Sequence, residues 1–341
     1  MTRHILALTL GDPAGIGPEI TVQTVLQAAG PEGPARAVVV GDAVSVRAAL
    51  DALKLDASVR TVDSWDALPA EEAGVIDVFD IGVLGDEPVE WGAISDRAGA
   101  AAVRSIEVAT AAALEGKVSG IVTAPINKEA IWAAGSEHLG HTEMLAELTG
   151  SKRSNTMFVA RGKKIFFATR HISLKGALEK INTEMQVDAI HEALRALRVY
   201  GTEEPRLGVA AINPHGGENG KFGNEEIDFI RPAVEAVQAE GHDVVGPVPA
   251  DSIFHQLFTD RYDAVLSQYH DQGHIPAKTI DFNGTISVTV GLPILRTSVD
   301  HGTAFDIAGK AIADPGTMLS AYLAGAEFAP FAGRIRADFE A

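Results

Sequence analysis

The chain has no cysteine, which removes disulfides, thiolate metal sites and thiol nucleophiles from consideration. Basic residues are scarce relative to acidic ones, 28 Lys and Arg against 46 Asp and Glu, for a net charge of −18. A field of that sign repels phosphodiester backbones and anionic lipid, so neither nucleic acid nor a membrane surface is an expected partner. Long hydrophobic runs are also missing. None approaches the roughly 18 apolar residues of a membrane span. The first apolar run, Ile5 to Leu10, ends at Gly11-Asp12-Pro13, far short of a secretory signal. These features predict a cytoplasmic protein. An anionic small substrate remains compatible with the net charge, provided that cations cluster locally.

The 341 residues are 46% hydrophobic and 22% charged, an ordinary globular balance. Short apolar runs alternate with longer Ala-rich amphipathic ones. Strands are predicted at 4–10, 37–41, 75–80 and 120–124, and helices at 16–29, after 41 through 53, and at 96–114. This βαβ alternation predicts an α/β fold with a largely parallel sheet covered by helices. The middle differs: 156–159 and 164–169 flank Ala160-Arg161-Gly162-Lys163 and predict an antiparallel hairpin. A helix at 183–200 and strands at 207–212, 243–246, 264–267 and 286–290 follow. The stretch 304–324 reads as two helices joined at Asp314-Pro315-Gly316. No repeat, low-complexity segment or linker is visible, which favours two intimately joined domains.

Five segments carry polar chemistry. Gly11-Asp12-Pro13-Ala14-Gly15-Ile16-Gly17-Pro18-Glu19 lies between a strand and a helix, where glycines let backbone approach a ligand and a helix start favours anions. Its spacing is not G-x-G-x-x-G, and a tight βα turn made for packing is an equal reading. Ala124-Pro125-Ile126-Asn127-Lys128 follows a strand; Asn127 reads as a helix cap or, with Lys128, as an acid-binding pair. In Gly140-His141-Thr142-Glu143, Thr142 is suited to capping a helix and His141 to donating to a phosphate. Three of the eleven histidines stand in unusual loop contexts: His171 after a strand, His215 in NPHGGE and His270 in YHDQGH. Their gaps of 44 and 55 residues carry no ligand spacing. Asp271, between His270 and His274, is placed to orient an imidazole. The fifth segment runs from Gly291 to Lys310 and holds Arg296, whose planar fork suits phosphate or carboxylate. Lys278 lies upstream as a second cation, and an Arg–Asp ion pair is the plain alternative.

Taken together, GDPAGIGPEI, TAPINKEAI, GHTEMLAELTG, NPHGGENGKFGNEEID, GPVPADSIF, YHDQGH and LPILRTSVDHGTAFDIAGK resemble the 4-hydroxythreonine-4-phosphate dehydrogenase family of vitamin B6 biosynthesis, in order and over nearly the whole chain. The resemblance implies the two-domain isocitrate and isopropylmalate dehydrogenase-like α/β fold, with the active site in the interdomain cleft. The larger domain would be built from 1–125 plus 292–341, and the second from 126–291. It implies a homodimer with shared active sites, to which His270 would contribute from the other subunit. It implies His171, His215 and His270 as ligands of one divalent ion, Zn or else Mg, Mn or Co. His141, Thr142, Lys278, Ser287 and Arg296 would bind substrate. NAD, or NADP, would lie on Thr297, Ser298, Asp300, His301, Gly302, Thr303 and Ala304. Asp251 and Asp271 are the candidates for proton transfer or for orienting the ligands.

The implied reaction is oxidation of a secondary alcohol β to a carboxylate, with hydride passing to NAD and CO2 then lost. It would convert 4-hydroxythreonine 4-phosphate to 3-amino-2-oxopropyl phosphate in pyridoxine biosynthesis. Two positions depart from the family's pattern: Ser287 stands where Asn is expected, and His274 where an apolar residue is usual. The departures point to the pocket, so dehydrogenases of 4-phospho-threonate, 4-phospho-erythronate or aromatic cis-dihydrodiols are the alternatives on the same scaffold. A non-catalytic binding protein is a further alternative, against which the full set of His, Lys and Arg residues counts.

Overall fold

The structure is a computed structural model and describes residues 3–152 and 154–340. In chain order the elements are β1 (Ile5–Thr9), α1 (Gly17–Ala28), β2 (Arg36–Gly41), α2 (Ala43–Leu53), β3 (Ser58–Val62), β4 (Val75–Asp80), α3 (Asp96–Leu114), β5 (Gly120–Thr123), α4 (Lys128–Ala133) and α5 (His141–Thr149). Then come β6 (Asn155–Ala160), β7 (Lys163–Phe167), α6 (Leu174–Lys180), α7 (Thr183–Val199), β8 (Leu207–Ala210), α8 (Arg231–Ala239), β9 (Val244–Val248), α9 (Ala250–Phe258), β10 (Ala264–Ser267) and α10 (His270–Ile280). The chain closes with β11 (Ile286–Val290), β12 (Arg296–Ser298), α11 (Gly316–Phe328) and α12 (Ala332–Glu340). No helix among the described residues is long and apolar enough to cross a membrane.

The contacts divide the chain into two compact units, 1–155 with 286–341, and 156–285. The divisions expected from sequence were 125/126 and 291/292. The first falls later because Met144 and Leu145 of α5 and Ile131 of α4 pack into the core that Ala102, Ile106 and Ala109 of α3 help to form.

In the first unit the strands run β3-β4-β2-β1-β5-β12-β11. All pair in parallel except β11, which is antiparallel to β12. β1, β2 and β5 are almost wholly buried and read as continuous apolar runs, as parallel strands covered on both faces must. α3 fits its predicted span because Ser95 caps it, accepting from the Ala98 amide at 3.3 Å, and its small residues allow close packing.

In the second unit the order is β6-β7-β10-β8-β9, with β6 and β7 the antiparallel hairpin and the rest parallel. The hairpin turn is Arg161-Gly162, both residues at positive φ, 48° and 74°. That geometry matches the twist of the flanking strands. Phe158, Ile165, Phe167, Ile253, Leu257 and Val265 form the core.

Residues 304–314 are not helical, contrary to the sequence reading. Ala304 and Ala311 sit at φ 44° and 58° and Gly309 at 74°, which breaks any helix. The Gly309 and Ala311 amides donate to Glu19, at 3.0 and 2.9 Å, instead of to carbonyls one turn back.

Candidate active site

Three neighbouring parallel strands of the first unit, β1, β5 and β12, bring three of the motifs to one edge of the sheet. The loops 10–16, 124–127 and 299–304 all follow carboxyl ends, where α/β sheets bind ligands. They are fastened to one another. The Asp12 amide donates to Pro125 O at 2.9 Å and the Ile16 amide to Thr303 O at 3.0 Å. A side chain at Gly11 would begin 2.2 Å from Pro125 O, and one at Gly15 would begin 2.8 Å from Thr303. Both glycines are therefore required by close backbone approach.

Arg296, at the head of β12, is only 6% exposed. Its guanidinium donates to Thr123 Oγ1 (3.1 Å from Nε, 2.8 Å from a terminal nitrogen), to Thr289 Oγ1 at 2.8 Å and to Ser298 Oγ at 2.8 Å. These partners are neutral hydroxyls. Burial lowers the Arg296 pKa to about 10, which still leaves it charged at neutral pH. A buried cation held by hydroxyls and not by a carboxylate is arranged to receive an anion from outside. Among the described residues Arg296 forms no ion pair with an Asp, so that alternative is not met.

Ser287 belongs to the same wall. It pairs across the ladder with Ser298, and it shares a face of β11 with Thr289 two residues on. His141 opens α5, whose N-cap is Gly140 with no side-chain cap. Thr142 thus lies inside the first turn and does not cap the helix. The His141 Nε2 is sheltered from solvent and has no hydrogen-bond partner among the described residues. Burial first, and the Arg296 charge second, hold its pKa well below the usual value, so the ring is neutral at pH 7. Asn127 takes its plain role as the cap of α4, accepting from the Ala130 amide at 3.0 Å.

The cofactor residues divide by face. Thr297 is fully buried and donates to Ala321 O of α11 at 2.8 Å, while Ser298 serves the Arg296 cradle. His301 and Gly302 are exposed, Asp300 and Ala304 are half-buried, and Thr303 is buried with its carbonyl on Ile16. A ligand at this edge would meet residues 300–304 and not the Thr297 side chain.

The second unit repeats the arrangement. Its neighbouring parallel strands β7, β10 and β8 are followed within five residues by His171, His270 and His215 respectively. Strand order, not sequence spacing, assembles the histidines. The β7 exit runs beside the β10 exit through Ala168 N to Ser267 O at 2.8 Å and Thr169 N to Gln268 O at 3.2 Å. The His171 and His270 rings consequently lie 5.9 Å apart, centroid to centroid, within one chain. Asp271 Oδ1 is 2.7 Å from His270 Nδ1, which leaves Nε2 available to a metal. His215 takes a left-handed conformation, φ 54°, and its Nδ1 is 3.9 Å from Asp251 Oδ2. Within one chain the donor atoms of His171, His215 and His270 do not all come within 4.8 Å of one another. Lys278 lies two turns after His270, its Nζ 5.6 Å above the Phe282 ring.

Sequence reading missed the residues that hold these loops. Glu226 accepts the Ile212 and Asn213 amides, at 2.8 and 2.7 Å, and so fixes the approach to His215. Gln268 and Gln272, both buried, bond to Ala210 O and Ala211 O at 2.8 and 2.7 Å, tying the β8 exit to the start of α10. Glu226 and Gln272 lie inside the quoted strings NPHGGENGKFGNEEID and YHDQGH, but nothing in those strings marks them as partners of loop backbone.

Among the described residues one set of three has metal-ligand proximity, His191, Glu240 and His242. His191 Nε2 is 2.8 Å from Glu240 Oε2. Arg198 donates to His242 Nδ1 at 3.0 Å, so the His242 proton sits on Nε2, facing Glu240 at 3.9 Å. The trio is a charge network, and a metal would have to displace Arg198 to use it.

The family model described as "Pyridoxal phosphate biosynthetic protein PdxA" matches residues 34–324. The chain belongs to the PdxA family. A protein of Cutibacterium acnes named "Putative D-threonate 4-phosphate dehydrogenase" is 54% identical over 98% of this chain and 96% of its own length. Among solved structures, the 4-hydroxythreonine-4-phosphate dehydrogenase of Klebsiella pneumoniae superposes with a TM-score of 0.87. It is 42% identical and covers 96% of this chain and 98% of that one. The chain is also similar to a terephthalate 1,2-cis-dihydrodiol dehydrogenase of Burkholderia xenovorans, at TM-score 0.65 and 31% identity, covering 95% of this chain and 98% of that one. This PdxA-family chain is therefore an α/β dehydrogenase by family, and the polar clusters of both units lie on motifs of the family resemblance.

Proposed function

We propose that the chain oxidises C3 of a four-carbon, 4-phosphorylated 3-hydroxy acid with NAD or NADP, and that the resulting β-keto acid loses CO2. The observation that carries this reading is Arg296, a buried guanidinium surrounded by hydroxyls beside the neutral His141 and the uncapped start of α5. Cation, helix N-terminus and sheltered imidazole together suit a phosphate or carboxylate. Lys278 would meet the second anionic group, and Thr142 would add a hydroxyl.

His171 and His270 fit a divalent ion, since Asp271 fixes the His270 tautomer and the two rings adjoin. His215 would complete the set. When bound, a divalent ion would stabilise negative charge on the C3 oxygen and NAD would accept hydride from C3. The chain's own residues would bind, orient and exclude water. Asp271 is committed to His270 and Asp251 faces His215, so both would act through histidines and not as free bases.

A homodimer is part of the proposal. Ile172 and Leu174 follow His171 in sequence, Ile275 and Phe282 follow His270, and all four are exposed apolar side chains that a subunit interface would cover. Because His171 and His270 adjoin in one chain, His270 would serve its own chain's site, and His215 is the ligand left for exchange between subunits.

Two substrates share carboxylate, C3 hydroxyl and C4 phosphate and differ at C2. The leading reading is 4-hydroxythreonine 4-phosphate, with an ammonium at C2, as in the named activity of the Klebsiella structure. The second is D-threonate 4-phosphate, with a hydroxyl there. It is favoured by Ser287 in the Arg296 wall and by the name of the Cutibacterium relative. NADH production with each compound separates them: turnover of the amino acid alone supports the first reading, and turnover of the hydroxy acid alone supports the second. No NADH from either, with a cis-dihydrodiol active, would overturn the phosphorylated-substrate proposal.

A further inference from the structure

We infer that His274 is a positioning residue that holds the His270 ring in a fixed plane for metal binding and is not itself a ligand. The inference rests on the reading of His270 as a metal ligand. His270 and His274 are one turn apart on α10, and their rings stack with centroids 3.6 Å apart and planes 17° from parallel. A metal bound to an imidazole lies in the plane of that ring. Two nearly parallel rings lying face to face send their lone pairs along parallel lines, so they do not converge on one ion.

What the stack does provide is a wall. Behind His274 stand Phe158, 4.2 Å away at 54°, and Phe167, 5.0 Å away at 50°, and these two buried phenyl rings meet edge to face at 5.2 Å. The helix cannot draw back from them, because even a methyl group at Gly273 would begin 2.6 Å from the Phe167 ring. His270 is thus held twice. Asp271, at 2.7 Å, fixes which nitrogen faces outward, and His274 fixes the tilt of the ring. An aliphatic side chain at 274 would fill space but would offer no flat face.

The test is Co2+ binding to the full-length protein, read by visible absorbance and by competition with a chelator, for wild type, His274→Phe, His274→Tyr and His274→Leu. The aromatic variants should keep the wild-type Co2+ spectrum and bind within about threefold of wild type. His274→Leu should bind roughly tenfold more weakly with an altered spectrum, the scale typical of residues that orient a ligand. Wild-type affinity in His274→Leu would overturn the inference. So would an equal loss in all three variants with one nitrogen ligand fewer by X-ray absorption, which would make His274 a ligand. If wild type binds no Co2+, or His270→Ala binds as wild type does, the metal reading itself fails, and that outcome is distinct from the others.

Discussion

The Arg296 guanidinium is buried and, among the described residues, bonded to the hydroxyls of Thr123, Thr289 and Ser298, so an anion is the partner the proposal gives it. Charge-assisted hydrogen bonds contribute about 1.5–3 kcal/mol each. Arg296→Ala should therefore lower kcat/KM by roughly ten- to a hundredfold or more, with the loss shrinking for a substrate that lacks the group it meets. A purely structural Arg would instead hurt all substrates and thermal stability alike. His141 makes a pH statement. Its pKa is depressed on folding by burial and by Arg296, so below the unfolded value of 6.5 the unfolded chain takes up a proton that the folded chain refuses. Stability is fully present above that pH and falls below it, and His141→Gln should flatten the melting temperature between pH 6.5 and 5. Asp12 has the opposite sign. Burial raises its pKa from 3.8 to about 6, so the unfolded chain ionises first and stability is lost as pH rises between those values. The cost at neutral pH is about 3 kcal/mol at most. Asp12→Asn should match wild type near pH 4 in chemical denaturation and exceed it above pH 6.

Elements that announce themselves by period were legible in the sequence: α3, the β6–β7 hairpin, β10 and β11 all fall at or near their predicted spans. Elements hidden by polar residues were not. β12 is three residues long and holds Arg296, Thr297 and Ser298, all buried, so it reads as a loop. β3 lies at the sheet edge, where Arg60 pairs with Asp77 and Glu72 and little apolar pattern is needed. The stretch 304–314 has helix-forming composition, but Glu19 takes the Gly309 and Ala311 amides, a bond that spans some 290 positions and leaves no local trace. The same holds for His171, His215 and His270, which follow the neighbouring strands β7, β8 and β10 while their sequence gaps say nothing. Glu19 yields a prediction at this scale. An amide in its place would turn an N–H toward one of the two backbone donors and loosen the 309–311 segment. Glu19→Gln should raise the KM for NAD several-fold while leaving the KM for the acid substrate close to wild type.

At the scale of the whole molecule, a chain of net charge −18 keeps one buried guanidinium ready for an anion in the first unit and an adjoining pair of histidines in the second. Subunit mixing tests how the histidines are shared. His171→Ala and His270→Ala protomers, each inactive, should give inactive heterodimers, because the two rings adjoin in one chain and every site then lacks one of them. Recovered activity would assign His270 to the partner's site instead. The central claim is that the chain is a metal-assisted dehydrogenase of a phosphorylated hydroxy acid, and one measurement bears on it most directly. Protein stripped by a chelator is assayed for NADH from 4-hydroxythreonine 4-phosphate and from D-threonate 4-phosphate, before and after a divalent ion is restored. The account predicts no NADH from stripped protein and recovery on addition of the ion, with His171→Ala and His270→Ala failing to recover. Undiminished NADH production by metal-free protein would contradict it.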